Sequence, residues 1–182
     1  MNRRLRAASI VLLSLLAGRE PAEAGGPVAG SSGSQAAATT SELALTAGVG
    51  GVFDAERFAE GGLELQLRPG LFGLQAILGA TSAENESFYG YLGLRREFIR
   101  DPLYVAVFTG LGRFRLGERP DLGGGLEFRS GIELGFRAAA DWRVGLVLYH
   151  LSNGGIERRN PGSETLALTW SVPLRESCGS PR

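Results

Sequence analysis

From Leu43 onward the chain reads as short stretches in which apolar and polar residues alternate, interrupted by glycines and turn residues. Between residues 124 and 137, Leu126, Phe128, Ile132, Leu134 and Phe136 share one face, and Glu127, Arg129, Glu133 and Arg137 share the other. Between 62 and 68, Leu63, Leu65 and Leu67 oppose Glu64, Gln66 and Arg68; between 164 and 174, Leu166, Leu168, Trp170 and Val172 oppose Thr165, Ala167, Thr169 and Ser171. A period of two is the signature of a strand with two unlike faces. No helix-period pattern of useful length interrupts it. Eight stretches qualify: 43–53, 62–68, 71–80, 88–98, 103–115, 124–137, 142–152 and 164–174. The first, fourth and fifth alternate too irregularly for their faces to be assigned.

The connections between these stretches alternate in length. Pro69-Gly70, Ile99-Arg100-Asp101-Pro102 and Ala138-Ala139-Ala140-Asp141 are short, whereas 54–61, 81–87, 116–123 and 153–163 are longer. A soluble β-sandwich would turn its apolar face inward. A membrane barrel does the reverse, and closure leaves no unpaired backbone edge in lipid. An even strand count, with short turns at one end and long loops at the other, predicts an all-β, eight-stranded antiparallel up-and-down outer-membrane β-barrel. Phe53, Phe88, Phe98, Tyr104, Phe136, Trp142 and Tyr149 are placed to form its aromatic girdles. Gly48, Gly50, Gly110, Gly112, Gly131 and Gly135 could let a narrow barrel bend and fill. Eight strands enclose only enough space for side chains, so a porin-like channel is disfavoured and function belongs to the loops or the outer wall.

Composition adds exclusions. Formal net charge is zero and all positive charge is arginine, so no basic surface points to nucleic acid. The single cysteine, Cys178, excludes an internal disulfide framework and a cysteine-based metal cluster. It reads as a free thiol, with a disulfide-linked homodimer as the alternative. One histidine and one cysteine argue against zinc. Residues 1–24 have the parts of a secretory signal: Arg3, Arg4 and Arg6, an apolar run over 7–17, and Ala22-Glu23-Ala24 before Gly25. Residues 25–42 then read as a flexible leader, 43–174 as the barrel, and 175–182 as a polar tail.

One constellation carries candidate chemistry. His150, the only histidine, lies two positions before Ser152, and Glu164 opens the next strand. Residues two apart on a strand point the same way. His150 and Ser152 therefore share a face with Val144, Leu146 and Leu148, while Glu164 shares one with Leu166, Leu168 and Trp170. If those faces meet lipid, three polar groups sit in the wall at the long-loop end, at a cost unless they satisfy one another or act. The matching chemistry is nucleophilic acyl transfer. His150 would take the Ser152 proton, and Glu164 would orient and stabilise the imidazolium. The Asn153 side-chain amide and a backbone amide of Gly154-Gly155 could receive the oxyanion. The bland alternative is a solvated loop tip on a non-catalytic barrel that binds lipid or partners through its loops.

His150-Leu151-Ser152-Asn153-Gly154-Gly155-Ile156, followed by Asn160-Pro161-Gly162 and Glu164, resembles the signature of the PagL-type lipid A 3-O-deacylases. The resemblance implies an outer-membrane serine esterase that removes the ester-linked 3-hydroxyacyl chain at the 3 position of lipid A. It implies Ser152 as nucleophile, His150 as base, Glu164 as orienter, Asn153 and Gly155 as oxyanion hole and Asn160 as loop support, with no metal or organic cofactor. The likeness is specific over residues 148–172 and diffuse elsewhere. Barrels of this kind usually finish close to an aromatic residue; the tail from Arg175 to Arg182 departs from that.

Overall fold

The computed structural model describes residues 40–117, 121–138 and 141–174. Within them, eight strands run β1 Glu42–Gly50, β2 Phe58–Gln66, β3 Leu74–Ala83, β4 Phe88–Arg100, β5 Leu103–Arg115, β6 Leu126–Arg137, β7 Arg143–Ser152 and β8 Ser163–Pro173. Each pairs antiparallel with its neighbour, and β1 pairs with β8 to close the barrel. No described helix is long and apolar enough to cross a membrane. The expected signal, most of the expected leader, and the expected tail with Cys178 lie outside the described residues.

Two strand starts move furthest from the expected positions. β2 begins at Phe58, inside the stretch read as a loop, because Phe58, Ala59 and Glu60 pair with Gly50, Val49 and Gly48. β3 begins only at Leu74, because Leu71–Gly73 forms a short 3-10 turn with Phe72 in the left-handed region. That turn lengthens one connection at the short-turn end.

The alternation resolves as a barrel with its apolar face outward. Leu63, Leu78, Leu92, Leu134, Leu146 and Leu168 are exposed on the outer wall. Phe98, Phe136, Trp142 and Trp170 ring its short-turn end, the two tryptophans meeting edge to face at 5.4 Å. Phe53, Phe88 and Phe128 are exposed toward the long loops. Tyr104 and Tyr149 are corrections to the expected girdles. Both fall on the inward phase of their strands and are buried, with hydroxyls donating to Glu133 and Glu60.

Charge fills the lumen. Arg95 donates to Glu133 at 2.6 Å and to Glu97 at 2.7 Å, and Arg143 reaches Glu42, Glu97 and Gln66. Arg129 pairs with Glu64 at 3.3 Å and lies 4.1 Å from the centroid of Tyr149 and 4.5 Å from that of Phe108. Buried guanidinium groups are tolerable only when carboxylates and rings surround them in this way. The strands of known and unknown phase alike then fall into line: in β4, Tyr89, Tyr91 and Arg95 point in, and Leu92 and Leu94 point out.

Candidate active site

The candidate residues lie where β7 and β8 meet the long loops. Antiparallel register sets His150 opposite Glu164 on one side and opposite Ser130 of β6 on the other. Directly opposed residues of paired strands hold their Cβ atoms about 4.5–5.5 Å apart, close enough for side chains to bond. His150 Nδ1 lies 3.0 Å from Glu164 Oε1. Their side chains are 24% and 20% exposed, so the pair sits in the outer wall, neither sealed in the lumen nor free in solvent. With Nδ1 engaged by the carboxylate, Nε2 is the nitrogen left for a reacting hydroxyl.

Ser152 shares this outward face and stands opposite Phe128. Among the described residues, no hydrogen bond joins its hydroxyl to His150. Alternate residues on a strand stand about 6.6 Å apart, so the gap must be closed by side-chain rotation, and such contacts commonly tighten only with substrate in place.

Three loop connections hold the pair. Val52 N donates to Glu164 O, and Ser163 Oγ donates to Asp54 Oδ2 at 2.9 Å, which ties the start of β8 to loop 51–57. Asn153 N donates to Asn160 Oδ1 at 3.0 Å, so Asn160 braces the loop from within. Arg159 pairs with Asp121 at 2.7 Å, linking loop 153–162 to the segment before β6.

The expected oxyanion donors are engaged within the loop. Asn153 is 0% exposed. Its Nδ2 donates to Leu122 O at 3.2 Å and Arg159 O at 2.7 Å, and its Oδ1 accepts from Gly155 N at 3.0 Å. Both amide protons and the Gly155 N–H are therefore committed. The physical reason is phase: position 153 continues the inward side of β7, where two buried loop carbonyls require donors. The Gly154 N–H has no acceptor among the described residues.

Two contributors escaped the sequence. Gly162 was visible only as a turn residue, yet it lies against the imidazole. A Cβ there would fall 2.5 Å from His150 Cε1 and 3.1 Å from Nε2, and its φ is +73°. Ser130 was one polar position in an apolar face; the register alone brings it beside His150. Above the site, loops 51–57, 84–87 and 153–162 enclose a cavity lined by Asp54, Arg57, Glu84, Arg159 and Gly162 among others. No group of three or more His, Cys, Asp or Glu side chains among the described residues could hold a metal ion.

Residues 61–173 match the family described as lipid A 3-O-deacylase (PagL). The chain belongs to the PagL family. Lipid A deacylase PagL of Pseudomonas aeruginosa is 33% identical over 79 residues, which are 43% of this chain and 43% of that protein. The matched part thus spans less than half of that relative. The crystal structure of the outer membrane enzyme PagL aligns with a TM-score of 0.58 at 22% identity, covering 73% of this chain and 99% of that one. A de novo designed transmembrane β-barrel aligns at 0.53 with 9% identity, over 74% and 96%. Those two likenesses carry the fold of this PagL-family chain, a closed β-barrel.

Proposed function

We propose that this protein is an outer-membrane serine esterase that hydrolyses the ester-linked 3-hydroxyacyl chain at the 3 position of lipid A. The observation that carries the proposal is the His150 Nδ1 to Glu164 Oε1 contact at 3.0 Å, made in the lipid-facing wall and on the face of Ser152. A buried ion-pair network would sit in the lumen, and a solvated tip would sit in the loops. A histidine–carboxylate pair beside a hydroxyl in the wall suits an ester at the boundary between headgroups and hydrocarbon. Membership of the PagL family, and the P. aeruginosa relative named as a lipid A deacylase, support the same substrate.

The chemistry runs in two halves. Ser152 Oγ attacks the acyl carbonyl as His150 Nε2 takes its proton, and Glu164 stabilises the resulting imidazolium. The tetrahedral intermediate collapses when the carbon–oxygen bond to the sugar breaks, and the imidazolium returns its proton to that oxygen. Water then attacks the acyl-serine with His150 again as base, which releases the fatty acid and restores the Ser152 hydroxyl. The Gly154 N–H is the donor available to the oxyanion, and Asn153 fixes the backbone that presents it. Residues 1–24 act as the export signal.

Mass spectrometry of lipid A incubated with the protein tests the reaction. Loss of one hydroxyacyl chain is expected with the wild type and not with Ser152→Ala, whose barrel should still form. Continued loss of that chain with the variant would remove Ser152 from the mechanism. No loss with either protein would favour a barrel that binds lipid without cleaving it.

A further inference from the structure

The wall carries more polarity than the triad uses. Thr109 of β5 stands in register with Ser130 of β6, and Ser130 with His150 of β7. Thr109 Oγ1 and Ser130 Oγ lie 3.1 Å apart. Together with Glu164 they form a single polar row across four adjacent strands of the outward face. Apolar side chains bound it on the remaining sides: Leu94 beyond Thr109, Leu111 and Phe128 toward the loops, and Val107 and Ile132 toward the short turns.

Two hydroxyls facing hydrocarbon satisfy each other only in part. Each has one proton and two lone pairs, and one shared bond leaves a proton and acceptor capacity unspent. A polar group on the substrate passing along the wall would use them. The row lies on the short-turn side of Ser152 by two residues of β7, about 6.6 Å, so it faces the part of the substrate that continues from the ester carbonyl toward the short turns. What passes here is the acyl chain whose carbonyl is at Ser152, running down the wall over Ile132 and Leu148.

We propose that Ser130 and Thr109 form a subsite that reads a hydroxyl on the acyl chain close to the ester carbonyl. The proposal rests on the esterase function above and deepens it. It makes these two residues the determinants of selectivity for hydroxyacyl over plain acyl esters, with no part in bond breaking. Ser130 would exchange a hydrogen bond with the chain hydroxyl, and Thr109 would hold Ser130 in the rotamer that offers it.

The test compares two lipid A derivatives in detergent micelles, identical except that the scissile chain carries or lacks a 3-hydroxyl. Released fatty acid gives kcat/KM for each. Wild type is expected to favour the hydroxylated ester. Ser130→Ala should bring the ratio of the two kcat/KM values down by about five- to tenfold, the range expected for one neutral hydrogen bond in a site built to make it. Ser130→Thr, which keeps the hydroxyl, should restore most of the ratio. Thr109→Val should lower it partway. An unchanged ratio in Ser130→Ala, whether or not both rates fall, would overturn the subsite and leave the esterase intact. So would a wild type that turns over both esters equally. A wild type that cleaves neither ester would remove the esterase function itself, and the subsite with it.

Discussion

Gly162→Ala probes how closely the loop backbone supports the imidazole. Two costs follow from the structure. The first is conformational: φ is +73°, where an L-residue loses roughly 1–2 kcal/mol. The second is steric and local. The added methyl would stand 2.5 Å from His150 Cε1, and carbon atoms need about 3.5 Å, so the ring must move by about 1 Å. A misplacement of that size at a reacting group costs on the order of 100-fold in rate. Gly73→Ala supplies the control. Its φ is +69°, yet nothing lies within 4 Å of the added Cβ, and it sits in the turn at the opposite end of the barrel. The two variants thus share the backbone cost and differ only in the clash. Fatty-acid release from lipid A in micelles, with folded barrel quantified by its gel mobility without heating, should show about 100-fold lower kcat/KM for Gly162→Ala. Gly73→Ala should stay near wild type. Equal rates for the two variants would mean that the imidazole has room to spare and that Gly162 serves only the turn.

Two further substitutions test the loops and the wall. Asn153→Ala strips the donors from the carbonyls of Leu122 and Arg159, and should cost about 1–3 kcal/mol in denaturant unfolding and speed proteolytic nicking within residues 153–162; activity lost by two to three orders of magnitude at unchanged stability would instead identify its amide as an oxyanion donor. Leu168→Arg places a charge at a position 61% exposed on the outer wall and should lower unfolding free energy in phospholipid vesicles by roughly 2–4 kcal/mol relative to Leu168→Ala. No difference between the two Leu168 variants would contradict an outward apolar face.

The sequence carried the architecture where alternation was strict and lost it where alternation failed. β7 and β8 could be oriented residue by residue, and that put His150, Ser152 and Glu164 on one side of the sheet. The same logic misplaced Tyr104 and Tyr149, because an aromatic near a strand end says girdle only when its phase is outward. Asn153 shows the limit in the other direction. A motif supplied a role for its amide, but its place just past β7, on the inward phase of that strand, turns the amide toward carbonyls contributed by residues 122 and 159, contacts that no local pattern encodes. Gly162 and Ser130 were hidden for the related reason that their importance is set by register and loop closure, across pairs of residues distant in sequence. β2 was placed late because Arg57 and Glu60 flank its first residues with charge; Glu60 points to the lumen, where charge is the rule.

The sideways opening of the His150–Glu164 pair changes what concentration means for this protein. Under the proposed esterase function its target does not arrive from bulk solution; both partners drift in one sheet of lipid, and collisions are counted per unit area. Diluting a vesicle suspension with buffer should then leave turnover per barrel unaltered, whereas diluting the target with inert lipid should slow it in proportion to mole fraction.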